Sequence, residues 1–175
     1  MSAITLYDLD VDRELLHLDG GSWCLLPVEG RAMLRHIAGF AVCDSWSLRW
    51  HSPVTKRVRY WFDSWPQPWM GLTVAEELAF GQAVAPAGVD AVLAHWQLDQ
   101  LSRHTPLLEL TRFDAVSLML ARAELGDAEL LLMEQPDAAL SDEELCRLSA
   151  MLRQWLQQSG AMAVITTSRR WSVED

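Results

Sequence analysis

Four consecutive apolar residues, Leu130 to Met133, are followed at once by Glu134, Gln135 and Pro136. An unbroken apolar run of this length suits a strand buried on both faces, as in a parallel sheet. Ser141, with Glu144 three residues on, is a capping box that opens a helix over Asp142 to Gln158. On that helix Leu145, Leu148, Leu152, Trp155 and Leu156 share one face, three acidic residues suit its positive end, and Gly160 stops it. Met162 to Thr167 is a second buried strand. Trp23 to Leu26 is a third, leading through a turn into a helix over Arg31 to Ala38 that ends at Gly39. Val58 to Phe62 makes a fourth. Ala3 to Val11 instead alternates apolar and polar residues as a half-exposed strand does, and Glu14 to Gly21 reads as its hairpin mate or a further short strand. Thr73 and Glu76 form another capping box. The spacing of Val89, Val92, Leu93, Trp96 and Leu101 predicts an amphipathic helix, and a further helix starts at about Asp114. The pattern predicts an α/β domain, whose chemistry belongs at the carboxyl ends of its parallel strands.

Composition narrows the function. At 175 residues, half of them apolar, the chain is one domain with a full core rather than a disordered segment. A net charge of −10 argues against nucleic acid or an anionic membrane surface as partner. The short basic run Lys56-Arg57-Val58-Arg59 reads as a solvated strand edge. Cys24, Cys43 and Cys146 lack paired spacing and read as reduced, structural thiols. His17, His36, His51, His95 and His104 lack the close pairing of a metal site, so none is assigned. There is no signal-peptide pattern, and no apolar run approaches the roughly 18 residues of a membrane span. The expectation is a cytoplasmic protein that does not insert into a membrane directly.

Several segments, in order, resemble one family. Leu130-Leu131-Leu132-Met133-Glu134-Gln135-Pro136, followed by Ala138-Ala139-Leu140-Ser141, is similar to the Walker B strand and D-loop of ABC-transporter ATPases. Leu34-Arg35-His36-Ile37-Ala38-Gly39-Phe40 is similar to the segment after their Walker A loop. Leu72 to Gly81 resembles the segment after the Q-loop in ATPases of the cobalt and vitamin importer type. Ala121-Arg122-Ala123 matches the residues after the family's signature.

The resemblance implies a P-loop-NTPase-like fold: a mostly parallel sheet with flanking helices, an N-terminal antiparallel β part and a small helical subdomain. Its limits are residues 1–21 for the β part, 22–62 and 126–175 for the α/β core, and 63–125 for the helical subdomain. Relative to the family, the chain reads as shortened at its C-terminus. The chemical positions depart from the family pattern. Where it has G-x-x-x-x-G-K-[ST], this chain has Pro27-Val28-Glu29-Gly30-Arg31-Ala32, shorter, with a carboxylate in the loop and no hydroxyl for Mg²⁺. Gly30, Arg31 and Ala32 are the nucleotide-binding candidates, and Arg31 alternatively reads as a first-turn surface arginine. Glu134 stands at the Walker B carboxylate and Gln135 at the general base, where an amide cannot take a proton from water. The Q-loop position falls on Asp63 and the switch histidine on Ser168. Leu110-Thr111-Arg112-Phe113-Asp114 occupies the signature without its glycines, and capping of a helix by Thr111 and Asp114 explains these residues on its own and is the preferred reading. Tyr7 is the candidate for the adenine-stacking aromatic.

Scaffold kept and chemistry lost points to a catalytically inactive homologue that needs no cofactor and acts through protein contacts. The alternative is a divergent subunit that still binds or hydrolyses MgATP. The resemblance implies an ABC ATPase subunit or a membrane permease subunit as partner, or a homodimer. Trp61, Trp65 and Trp69 mark the candidate docking groove, although a small satellite core would use them too.

Overall fold

In the computed structural model, residues 3–51, 57–62, 67–81 and 86–171 are described. Two sheets stack around the elements that the apolar runs predict. β1 (Ala3–Asp8) pairs antiparallel with β2 (Arg13–Asp19) on one side and β4 (Trp46–Trp50) on the other. β3 (Trp23–Pro27), β7 (Met162–Thr167), β6 (Leu130–Glu134) and β5 (Val58–Trp61) form a parallel sheet in that spatial order. β4 was not anticipated: Trp46, Leu48 and Trp50 alternate with Ser47 and Arg49, a period of two in an otherwise unmarked stretch.

The parallel strands are buried on both faces because their side chains feed two cores. Leu131 and Met133 enter a large core with the helices, while Leu130 and Leu132 enter a smaller one against the antiparallel sheet. β7 repeats this, with Ala163 and Ile165 on one side and Met162 and Val164 on the other. α1 (Arg31–Ile37) closes the smaller core through Leu34 and Ile37. α4 (Arg112–Leu125) and α5 (Asp142–Ser159) cover the opposite face, and the apolar stripe predicted for α5 packs as expected.

Between β5 and α4 lie α2 (Val74–Ala79) and α3 (Pro86–His95). α3 stops six residues short of the expected Leu101, because Gln97 turns left-handed at φ 54° and Leu98 N–H bonds back to Leu93. α4 begins two residues before the expected Asp114, with Thr111 as its N-cap. The carboxylate of Glu77, 1% exposed, accepts from Met70 and Gly71 N–H at 2.8 and 3.0 Å and pairs with Arg122. A Cβ at Gly71 would stand 2.7 Å from the Glu77 nitrogen, so only glycine lets the loop approach α2 this closely.

Candidate functional site

The carboxyl ends of β3, β7, β6 and β5 lie side by side, and Arg31 and Arg35 of α1 and Tyr60 of β5 converge there on Glu134. This side chain ends β6 and is 1% exposed, so its charge has almost no contact with water. A buried carboxylate must be compensated. Arg35 supplies most of this, with Nε donating to Oε1 at 2.8 Å and Nη2 to Oε2 at 3.3 Å. Arg31 adds a second guanidinium, its Nε 3.5 Å from Oε2. The Tyr60 hydroxyl also donates to Oε1.

Local structure explains the meeting. Arg31 and Arg35 are four residues apart on α1 and therefore share a face. Tyr60 is in register with Leu132, two residues before Glu134, so the two side chains are diagonal neighbours on one sheet face. Burial first, and then the bond to Glu134, push the Tyr60 phenol far above its ordinary value. The same carboxylate and hydroxyl hold the Arg35 guanidinium above the usual arginine value. Phe40 and Phe62 stack over this region at 5.6 Å, and both meet the Tyr60 ring, at 5.0 and 4.7 Å. The result is a neutralised anion beneath an aromatic cover.

Around this centre the other expected positions fall out as follows. Arg31, 35% exposed, turns its Nε toward Glu134. The loop before it forms a single 3₁₀ turn, Val28–Gly30, after Pro27, which has no N–H to offer a ligand. Glu29 is exposed, and a Cβ at Gly30 would stand 2.8 Å from Leu26 Cβ, so this glycine serves packing against β3. Ala32 is exposed. Gln135 adopts a left-handed φ of 44°, and its N–H donates to the Thr166 carbonyl at 2.9 Å, fixing the turn to β7. Ser168 sits on an exposed bend after β7. Asp63 and Trp65 lie outside the described residues.

Thr111 and Asp114 make the reciprocal capping box expected of them. Leu110 and Phe113 are buried, with Arg147 stacked 4.7 Å over the Phe113 ring. Arg112 reaches across: its Nη2 donates to the Gln135 carbonyl at 3.1 Å, and its guanidinium lies 5.4 Å over the Trp61 ring. Trp61 was expected to line a docking groove. At 2% exposure it belongs to the core, because its strand position points it toward α4. Trp69 is half-buried and lines a recess of about 120 Å³ with Tyr60, Phe62, Pro68 and Met119. Tyr7 lies under the Arg49 guanidinium, 5.6 Å from its ring centre.

Sequence reasoning missed Arg35 and Tyr60 as partners of Glu134, and the aromatic pair Phe40 and Phe62. The i, i+4 repeat of arginine on α1 was the available signal for the first. Beyond β6, the Thr167 hydroxyl donates to Asp137 at 2.5 Å, and Arg169 donates to the Leu140 carbonyl at 2.6 Å. These bonds tie the β6–α5 connection to the end of β7. Among the described residues no helix is long and apolar enough to cross a membrane, and no group of three or more His, Cys, Asp or Glu could hold a metal ion.

No protein-family model matches the chain, and neither does a curated protein sequence. Solved structures do match. MJ1267, an ATP-binding cassette of an ABC transporter in its ADP conformation, superposes with a TM-score of 0.71 at 14% identity, covering 97% of this chain and 82% of its own. A nucleotide-free ATP-binding cassette from an ABC transporter gives 0.70 at 15%, with the same coverages. The protein cbiO1 of Clostridium perfringens, part of the ABC transporter complex cbiONQ, gives 0.75 at 12%, covering 95% and 78%. Strand order, the antiparallel layer and coverage agree: the chain has the fold of the ATP-binding cassettes of ABC transporters.

Proposed function

We propose that this chain is a catalytically inactive cassette, a pseudo-ATPase that serves as a structural or regulatory protein-interaction subunit of an ABC-transport-related assembly. The observation that carries this reading is the state of Glu134. In the family the corresponding carboxylate helps to hold Mg²⁺ beside the triphosphate. Here Arg31, Arg35 and Tyr60 satisfy it from within the chain. The residues present do not fit MgATP: the loop is short, opens on a proline and carries Glu29, and no hydroxyl follows Arg31. Gln135 cannot act as a general base. A Mg²⁺ ion approaching Glu134 would have to compete with the Arg31 and Arg35 guanidiniums for the same carboxylate oxygens.

The recess lined by Trp69 and exposed Phe62 supports a partner surface at the Trp69 end of the groove expected over Trp61, Trp65 and Trp69. A permease subunit or another cassette subunit fits the kind of protein this fold works with, and such a partner would keep the chain at the cytoplasmic face of a membrane.

Isothermal calorimetry with MgATP tests the reading. The expected result is no saturable heat at millimolar nucleotide. Micromolar affinity that disappears in Arg31→Ala would overturn it in favour of a divergent ATP-binding subunit.

A further inference from the structure

β5 is the last strand of the parallel sheet: β6 pairs with one side of it, and no described strand lies on the other. A strand with a single neighbour leaves half of its backbone N–H and C=O groups without ladder partners, a template for another extended chain. The side chains there carry a second signal. Alternation sends Val58 and Tyr60 to the smaller core and places Arg57, Arg59 and Trp61 on the face toward α4. Arg57 pairs with Asp127 at 3.1 Å, and Arg122, nearby on α4, pairs with Glu77.

Arg59 has no carboxylate partner among the described residues, and its Nε is buried without a hydrogen bond. Burial, together with the charges of Arg122 and Arg57, pulls its pKa below the ordinary arginine value. With Arg57 and Arg122 each held by a carboxylate, Arg59 is the guanidinium of this group that has none among the described residues. The recess between β5, β6 and α4, lined by Arg59, Trp61, Met119 and Leu131 among others, encloses about 10 Å³. That is room for one water and not for a small ligand.

We propose that the outer edge of β5 docks an extended acidic segment of a partner protein, which adds a strand to the sheet and meets Arg59 with a carboxylate. A guanidinium suits such a carboxylate because it donates in a fork, and unpaired backbone groups favour a peptide over a lipid headgroup. This surface goes beyond the reading of the Glu134 site and stands whether or not that site holds a nucleotide.

Fluorescence anisotropy tests it with a labelled peptide of alternating Glu and Thr. The controls are the same peptide N-methylated at alternate residues, a Lys-Thr peptide, and phosphatidylserine vesicles. The Glu-Thr peptide binds saturably, Arg59→Ala weakens it about tenfold, and Arg59→Lys weakens it less. The N-methylated peptide, which keeps the charge but loses the backbone ladder, does not bind. Thermal melts check that each variant is folded. Four results would each overturn the proposal: no saturable binding, equal affinity in folded Arg59→Ala, equal affinity of the N-methylated or Lys-Thr peptide, or Arg59-dependent binding to vesicles alone.

Discussion

The hydroxyl of Tyr60 donates to a carboxylate that water does not reach, and this has a consequence for pH. Burial and the bond to Glu134 raise the phenol above its unfolded value, so the folded chain holds this proton more tightly than the unfolded one. The stabilisation is therefore complete below the unfolded phenol's pKa of about 10 and is lost as pH rises toward the folded value. Tyr60→Phe should cost about 1.5–3 kcal/mol at neutral pH, the worth of a hydrogen bond to a charged group. It should also flatten the fall in stability above pH of about 10, because the group responsible is gone. Urea melts of both proteins at neutral and alkaline pH check this. Parallel curves for the two would show that Tyr60 does not sense Glu134. At this scale the sequence was half legible. Glu134 could be read as the polar end of a buried strand, but Arg35 and Tyr60 stand 99 and 74 positions away from it. No local period announces such a meeting; it follows from the register of β5 on β6 and from the placement of α1.

Among the elements, those with two independent local signals were the ones the sequence specified best. α5 has a capping box, an apolar stripe and a stop at Gly160, which is left-handed at φ 71°, and it forms over the predicted residues with one added. β6 and β7 are unbroken apolar runs, and they fall where those runs lie. β4 has only a two-residue alternation of half-buried side chains, and α3 lost its last turn to a left-handed Gln97 that apolar spacing does not encode. The same box closes α2, α4 and α5: Thr73 with Glu76, Thr111 with Asp114, and Ser141 with Glu144. The bonds from Ser141 hold the Glu144 carboxyl below its ordinary value. Ser141→Ala should destabilise the chain by about 1 kcal/mol at neutral pH, the typical worth of an N-cap. The loss should shrink as acid protonates Glu144, since a lowered carboxylate stabilises above its unfolded pKa and ceases to do so as pH falls through the folded one. Chemical denaturation at neutral and acid pH reads both effects. A cost independent of pH would separate the cap from Glu144.

For the molecule as a whole, the fold is that of an ATP-binding cassette, and the proposed loss of activity rests on the Glu134 site. The strand order and the layered cores are those of a cassette, and at 12–15% identity the superposed structures establish the fold alone. Fold is decided by where apolar side chains lie, and those positions survive wide sequence change. Activity is decided by a few polar atoms at the carboxyl ends of the strands, and here they bond to one another. Ligand that binds only the native state raises stability by mass action, about 2.7 kcal/mol at a hundred times Kd. The melting temperature with and without excess MgATP therefore tests the central claim most directly. An inactive cassette should melt at the same temperature in both conditions, and a rise of several degrees with MgATP that vanishes in Arg31→Ala would contradict the proposal.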